Sequence, residues 1–597
     1  MTLAGAGLLL AGLPGVVGCA SAGPIGLGAA VRDAGGRPLV SYEVISPTPT
    51  GGELGVFIVS SADDPHSKPA LVIVAGMDGR HVVGSRVASR LPALLAERAG
   101  ELLDEMTVYV IPVVHDEAIG RNASGEAPRQ EHRLTSTPTD LDGDGRVDED
   151  GPVDINDDGM ITMMRWQPGP GSLFSPTHIV DPDEPRLMRE PDPKKGEVAT
   201  HALHIEGRDE DGDGKIAEDP PGGVDLDIHW PYRWPEWNKE AGRYQLEEPH
   251  TRALAHWLLE RQNIVAFVTY GLHDNLVKAP EAGRFDITRR VPLGVEQGDL
   301  RVYEVVGEKY REITGMTGVG GVTRGSAEGS FHGWAYAHYG RLSFVNPVWV
   351  RPDLVERKSE EPVPDKEETE AQSEEATGEK AETDEAAAES QQASAQRERP
   401  GRSARGAAPQ RQQRDTRSEE AKWLAYSDEQ RDGEGFVEWN SFDHPDLGEV
   451  EIGGFVPGFR FNPPEEELGR LAEEQASFAI ALLEMFPRLE VSEPVVETLG
   501  GGVYRITLRL SNPGKLATRA AISNKVRRIA PIILRPDVEP DRIVSGERLQ
   551  RVAPIGPGGH TDVSWIINAS GEDAVTIEVH GREMGDRKVR VELGGAR

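Results

Sequence analysis

Leu71–Ala75 and Met106–Val114 are nearly unbroken apolar runs, and between them Val82–Arg98 carries Ala88, Leu91 and Leu95 at helical spacing. The two runs read as buried strands and the periodic stretch as a helix. Thr251–Leu259 repeats the helical rhythm and Ile264–Tyr270 the strand rhythm. Strands that alternate with helices predict an α/β layer fold. Order resumes over Phe436–Phe455 and in a helix from Pro464 to Phe486, where Leu468, Leu471, Phe478, Leu482 and Phe486 share a face. Beyond Pro487 the period drops to two: Tyr504, Ile506, Leu508 and Leu510 alternate with Arg505, Thr507 and Arg509. Val575–Val579 and Val589–Leu593 repeat that alternation. With turns such as Asn512-Pro-Gly514, this predicts a small β-sandwich domain over 489–597.

Glu356 to Arg417 breaks every rhythm. Glu, Lys, Ala, Ser, Gln and Arg dominate it, with acids first and arginines after Arg397. Such a composition buries too little apolar surface to offset the entropy of ordering, so disorder is expected. The segment reads as a solvated linker, with an interaction tail in its arginine-rich half as the other option. The expected division is a leader and linker over 1–29, a first globular part over 30–355 with an insertion at about 135–220, and a disordered charged insertion over 356–420. Residues 421–488 then complete the globular part ahead of the β domain.

A chain of 597 residues needs more than one core. Lys and Arg number 65 against 100 Asp and Glu, a formal charge of -35. That balance excludes nucleic acid as the expected partner and favours cations. With Cys19 as the single cysteine, no internal disulfide forms. Residues 1–19 are too short and Gly-rich for a comfortable span and read as an export signal. Val16-Val17-Gly18-Cys19 resembles a bacterial lipobox, which would lipidate Cys19; cleavage after Ala20-Ser21-Ala22 is the alternative. Either way the protein is expected in the periplasm or cell envelope, held to a membrane only through a Cys19 lipid.

Three acidic loops stand out. Asp140-x-Asp142-x-Asp144-Gly145 runs on to Asp148, Glu149 and Asp150, and Asp154-x-Asn156-x-Asp158-Gly159 follows at once. Asp209-x-Asp211-x-Asp213-Gly214 runs on to Glu218 and Asp219. Oxygens at the first, third and fifth positions before a glycine are the pattern of calcium loops. The closing Glu of an EF-hand is missing, since Gly151, Arg165 and Pro220 stand at that position. Structural calcium is therefore expected outside a true EF-hand, weakest at the second loop, with a plain solvated turn as the alternative.

The run Leu71–Ala75 ends in a turn that presents Asp78 and His81, both metal-ligand types. This segment resembles the first metal motif of zinc carboxypeptidases of the carboxypeptidase A type, Gly-x-His-x-x-Glu after a strand, with the two ligand types exchanged. Gly223-Val-Asp-Leu-Asp-Ile-His-Trp-Pro231 resembles that family's Gly-Val-Asp-Leu-Asn-Arg-Asn-Phe-Pro. Val268–Pro280, with His273, is similar to the strand bearing the third ligand. Gly329–Tyr336 with Leu342–Trp349 resembles the stretch that ends in the catalytic glutamate, and His444–Gly454 a segment of bacterial members with a trailing β domain.

The resemblance implies an α/β/α sandwich around a mixed sheet and a zinc held by two imidazoles, one carboxylate and a water. In this chain Asp78, His81 and His273 would hold it, or remain as a hydrogen-bonded remnant in which Asp78 pairs with His81 or His273. Pro347 stands at the glutamate position, or Asn346 if the register slips. Neither accepts a proton from bound water, and losing a general base costs ~10²- to 10⁴-fold. The family's Asn-Arg carboxylate clamp reads Asp227-Ile228, Arg133 is the remaining candidate for substrate binding, and the family's tyrosine falls near Arg324. His229, His332 and His338 read as packing or surface residues.

Base and clamp are missing together, so the favoured reading is an exported carboxypeptidase-like protein without peptidase chemistry. It would bind or scaffold a peptide or an envelope component. The alternative is an active metallohydrolase with a rearranged Asp/His/His zinc site, and a third reading is an adhesion module led by the β domain.

Overall fold

The computed structural model describes residues 39–210, 212, 214–356, 415–526 and 529–594. Residues 1–38 with Cys19, on which the expected leader falls, nearly all of the charged insertion, and Asp211 and Asp213 lie outside the described residues.

Six strands build the central sheet: β1 (Val40–Pro47), β2 (Glu53–Val59), β3 (Ala70–Ala75), β4 (Thr107–Ile111), β5 (Ile264–Tyr270) and β6 (Leu342–Asn346). Their order in space is β1-β2-β4-β3-β5-β6. β1 and β2 run antiparallel to their neighbours, while β4, β3, β5 and β6 are mutually parallel, so the sheet is mixed. Every residue of β3 is buried, as its continuous apolar run requires of a strand covered on both faces.

The main helices are α1 (Val82–Arg98), α2 (Asp116–Ser124), α3 (Pro249–Glu260), α4 (Leu300–Thr314), α5 (Glu419–Gln430) and α6 (Glu467–Met485). One apolar cluster joins Leu71 and Ile73 of β3 to Leu91 and Leu95 of α1 and to Leu471 and Leu482 of α6. Another joins Val72 and Val74 to Leu254 and Leu258 of α3, Trp230 and Phe331. Alternate residues of one strand thus feed two cores, the arrangement of a sheet with both faces covered. α1 spans the residues the spacing predicts. α3 begins at Pro249, where a missing N–H costs nothing in the first turn. β4 stops at Ile111 because Pro112 has no donor for the ladder.

The insertion forms a four-stranded antiparallel sheet in which Met163–Trp166 lies between Ala202–Ile205 and the hairpin Phe436–His444/Gly448–Phe455. Its core is small: Met164, Trp166, Ala202, Ile216, Val450 and Ile452. The C-terminal region holds a five-stranded and a four-stranded sheet that feed one cluster, including Ile506, Leu508, Trp565, Leu534, Ile577 and Val579. Arg509, on the other side of its strand, pairs with Asp562 at 2.7 Å.

Candidate functional site

Ala75, Tyr270 and Asn346, the last residues of β3, β5 and β6, pair in one row, so the chain leaves all three strands along the same sheet edge. In parallel sheets that edge is where ligands bind. Gly76 turns the chain at φ +71°, where a Cβ would lie 2.6 Å from Ser85 Oγ. The turn delivers Asp78 and His81, and both are buried.

Arginine surrounds Asp78. Arg80 grips it with two bonds, Nε to Oδ1 at 3.0 Å and Nη2 to Oδ2 at 2.7 Å. Arg324 Nη2 donates to Asp78 Oδ2 at 2.6 Å and to Asp225 Oδ2 at 2.7 Å, and its Nε lies 3.1 Å from Asp227 Oδ2. The Arg324 N–H donates to Leu272 O at 2.7 Å, which anchors this residue next to His273. Burial alone would raise the Asp78 carboxyl, but Arg80 and Arg324 outweigh it and hold it well below the usual carboxylate range. Arg133 Nη1 lies 2.6 Å from Glu240 Oε2 and 3.3 Å from Asp225 Oδ2, so this guanidinium is committed within the network.

The imidazoles face elsewhere. His273 Nε2 is 3.0 Å from Asp227 Oδ2. His81 Nε2 donates to Pro347 O at 2.7 Å, and its Nδ1 is turned toward α1, 2.6 Å from where a Cβ on Gly84 would lie. Burial lowers the His81 pKa, which leaves this ring neutral. Asn346 is buried, its Oδ1 accepting from Tyr310 Oη–H at 2.9 Å and from Val348 N–H at 2.9 Å.

A zinc ion needs three donors converging on one point with lone pairs free. Asp78 spends both oxygens on guanidiniums, and His81 spends Nε2 on a carbonyl. Among the described residues, the groups of three metal-ligand side chains able to share an ion do not include Asp78, His81 or His273. These residues, as placed, do not fit zinc. His332 lies beside His273 at 4.6 Å between centroids with the rings tilted by 53°, His229 is buried against Thr251 Oγ1 at 2.9 Å, and His338 is exposed.

The acidic loops differ among themselves. Asp140, Asp142 and Asp144 bring oxygens within 4.8 Å of one another, and so do Asp142, Glu149 and Asp219. The first loop is therefore closed by Asp219 from the third, which a backbone bond from Asp219 N–H to Asp150 O at 3.1 Å holds in place. Burial, then a side-chain hydrogen bond with Asp219 and the charges of Asp144 and Asp219, push the Glu149 carboxyl up to about 7. Asp148 points elsewhere, accepting from Gly222 N–H at 2.9 Å. In the second loop Asp154 accepts from Gly159 N–H at 2.8 Å and Asp158 from Met160 N–H at 2.8 Å, while Asn156 donates to Asp158 at 3.1 Å. Asp209 of the third loop accepts from Gly212 N–H at 2.7 Å.

The sequence marks Asp78, His81 and His273, but not the cations that take up Asp78. Two signals point to them. Arg80 stands between the two ligand-type residues, and Asp225 with Asp227 adds carboxylates that need a countercharge once buried.

A family model described as a domain of unknown function (DUF8731) matches residues 488–592. No curated protein matches the chain. Among solved structures, thrombin activatable fibrinolysis inhibitor (TAFI) is 13% identical with a TM-score of 0.28, over 51% of this chain and 62% of that one. Carboxypeptidase A from Helicoverpa armigera is 11% identical with a TM-score of 0.27, over 51% of this chain and 58% of that one. Bovine thrombin-activatable fibrinolysis inhibitor, solved with tick carboxypeptidase inhibitor, is 13% identical with a TM-score of 0.24, over 51% and 78%. The match spans less than two thirds of the first two proteins' own length. Among the described residues, no helix is long and apolar enough to cross a membrane.

Proposed function

We propose that this chain is an exported carboxypeptidase-like protein, an α/β/α sandwich followed by a β-sandwich, that does not hydrolyse peptides through zinc and serves as a binding or scaffold module. The observation that carries this reading is Arg324, whose guanidinium bonds Asp78 and Asp225 and lies against Asp227. A divalent cation brought to Asp78 would have to displace two guanidiniums already satisfied there. Arg80 would then lose its carboxylate partner and Arg324 one of its three, a costly change for largely buried charges. Pro347, at the position expected for a general base, offers only a carbonyl, and His81 already donates to it. Asp227 in the former clamp position would repel a carboxylate rather than hold it.

Calcium in the first loop, completed by Glu149 and Asp219, fits a structural role in an insertion with so small an apolar core. Export through the leader, with or without a lipid on Cys19, belongs to the same reading.

The test is a C-terminal hydrolysis assay with added zinc, run beside the Asp78→Ala variant. The expected result is no release of C-terminal residues above the variant's background. Release by the wild type that Asp78→Ala abolishes would overturn the reading.

A further inference from the structure

Next to the network, and sharing Arg80 with it, a cavity of about 580 Å³ opens between the start of α1, α2 and the loop that leads into α6. Arg80, Arg86, Arg121, Arg129 and Arg431 line it, against Glu126, Glu131 and Glu434. In a chain with 100 acidic and 65 basic residues, a concave surface with more guanidiniums than carboxylates reverses the prevailing sign. Low-dielectric walls around like charges focus the potential into the space between them.

The walls are fixed in place. Asn462 Oδ1 accepts from Val83 N–H at 2.9 Å, and its Nδ2 donates to Arg80 O at 2.9 Å, which ties the loop to the first turn of α1. Asn122 Nδ2 donates to Gly79 O at 2.8 Å and to His132 O at 2.6 Å, so α2 is tied to the same turn. Glu131 Oε1 accepts from Gly458 N–H at 3.1 Å, and so one of the three carboxylates is already engaged by backbone. The cavity is thus built by hydrogen bonds from three segments.

Most of its arginines are only lightly held. Arg86 pairs with Glu465, Arg121 with Glu117 at 2.9 Å and Arg431 with Glu434 at 2.8 Å. In each pair at least one side chain is largely exposed. Such solvent-exposed pairs add little stability, so an incoming anion loses little by replacing the partner. Arg129 is exposed and forms no ion pair among the described residues. Arg80 is the exception, bound to Asp78 and lying 5.1 Å over the Phe461 ring, where it supplies field rather than a free fork.

We propose that this cavity binds a small multivalent oxyanion, one molecule carrying two or more phosphate or carboxylate groups, with Arg121 and Arg129 as its principal donors. Guanidinium forks match the paired oxygens of both groups. Several forks around a space of this size suit a ligand of drug-like dimensions with more than one anionic group. The inference does not rest on the zinc-free reading of the neighbouring pocket, and its failure leaves the metal content of the protein unaffected.

Isothermal titration of the full chain with fructose 1,6-bisphosphate and, separately, with succinate tests it. The expected result is saturable binding of at least one anion, weakened about tenfold or more in the Arg121→Ala/Arg129→Ala double variant and falling with added salt. Binding of the bisphosphate alone assigns the site to phosphates, and binding of succinate alone assigns it to carboxylates. Calcium withdrawn from the acidic loops by either anion would give the same heat in both proteins, so the difference between them isolates the arginines. Both side chains are exposed, and an unchanged melting temperature confirms the variant is folded. Absence of binding by both anions, or equal binding in the double variant, would overturn the proposal.

Discussion

At Asp78 one buried carboxylate faces two guanidiniums, and Arg324 also serves Asp225 and lies against Asp227. Replacing Arg324 by Ala leaves three buried carboxylates short of one cation. Breaking a buried pair in this way costs about 3–5 kcal/mol, which urea unfolding should register. A loss under about 1 kcal/mol, the range of exposed pairs, would mean the network is not buried as described. The histidines give a second prediction. Burial first, then the neighbouring histidine charges, pushes both His115 and His229 down to about 3. Their folded pKa lies below the ordinary 6.5, so below that value the unfolded chain takes up protons that the native chain refuses. Stability should therefore be full above pH 6.5 and decline as pH falls from there toward 3, with His115→Gln flattening part of the slope. The ligand-type residues were legible because each follows an apolar run at a sheet edge. Their partners were not, because Arg324 lies 246 positions from Asp78 and only the fold brings them together.

At the scale of elements, the acidic loops show what spacing can and cannot reveal. Alternating aspartates before a glycine disclosed the oxygens of the first loop, but not that Asp219 would cross from the third loop to close it. Asp148, an equally good candidate in the sequence, is taken instead by a backbone N–H. Among the described residues, the second loop brings no three acidic side chains together and should contribute least. If calcium fills the first cage, saturating calcium at about a hundredfold its Kd stabilises the native state by about 2.7 kcal/mol. EDTA should therefore lower the melting temperature, and Asp219→Asn should remove most of that difference. Indifference of the wild type to EDTA would contradict a structural ion. Strand and helix positions were far easier to read, since period-two and helical spacing are local properties. Their ends shifted by a few residues where prolines intervened, at Pro112 and before α6.

For the whole molecule, the C-terminal region is tied to the central sheet's surroundings through Leu516 and Ile522, which join its apolar cluster, and through polar contacts. Asp299 Oδ1 accepts from Ala521 N–H at 2.7 Å and Oδ2 from Ile522 N–H at 3.0 Å, while Ser523 Oγ donates to Gly340 O at 2.7 Å. Asp299→Ala orphans two backbone donors at a cost of about 1–3 kcal/mol each, and calorimetry should then resolve a separate, earlier transition for the C-terminal sheets. A single unchanged transition would show that other contacts hold the two regions together. None of this docking was legible in the sequence, because it depends on where loops of different regions meet. The mixed α/β class, by contrast, was legible in runs and rhythms alone.

The central claim is that guanidiniums hold the carboxylate that zinc would require. The most direct measurement is elemental analysis of the native protein as purified from cells, with zinc and calcium counted per chain. The account predicts zinc far below one per chain, with calcium present. One zinc per chain, lost from both the Asp78→Ala and the His273→Ala variants, would contradict it.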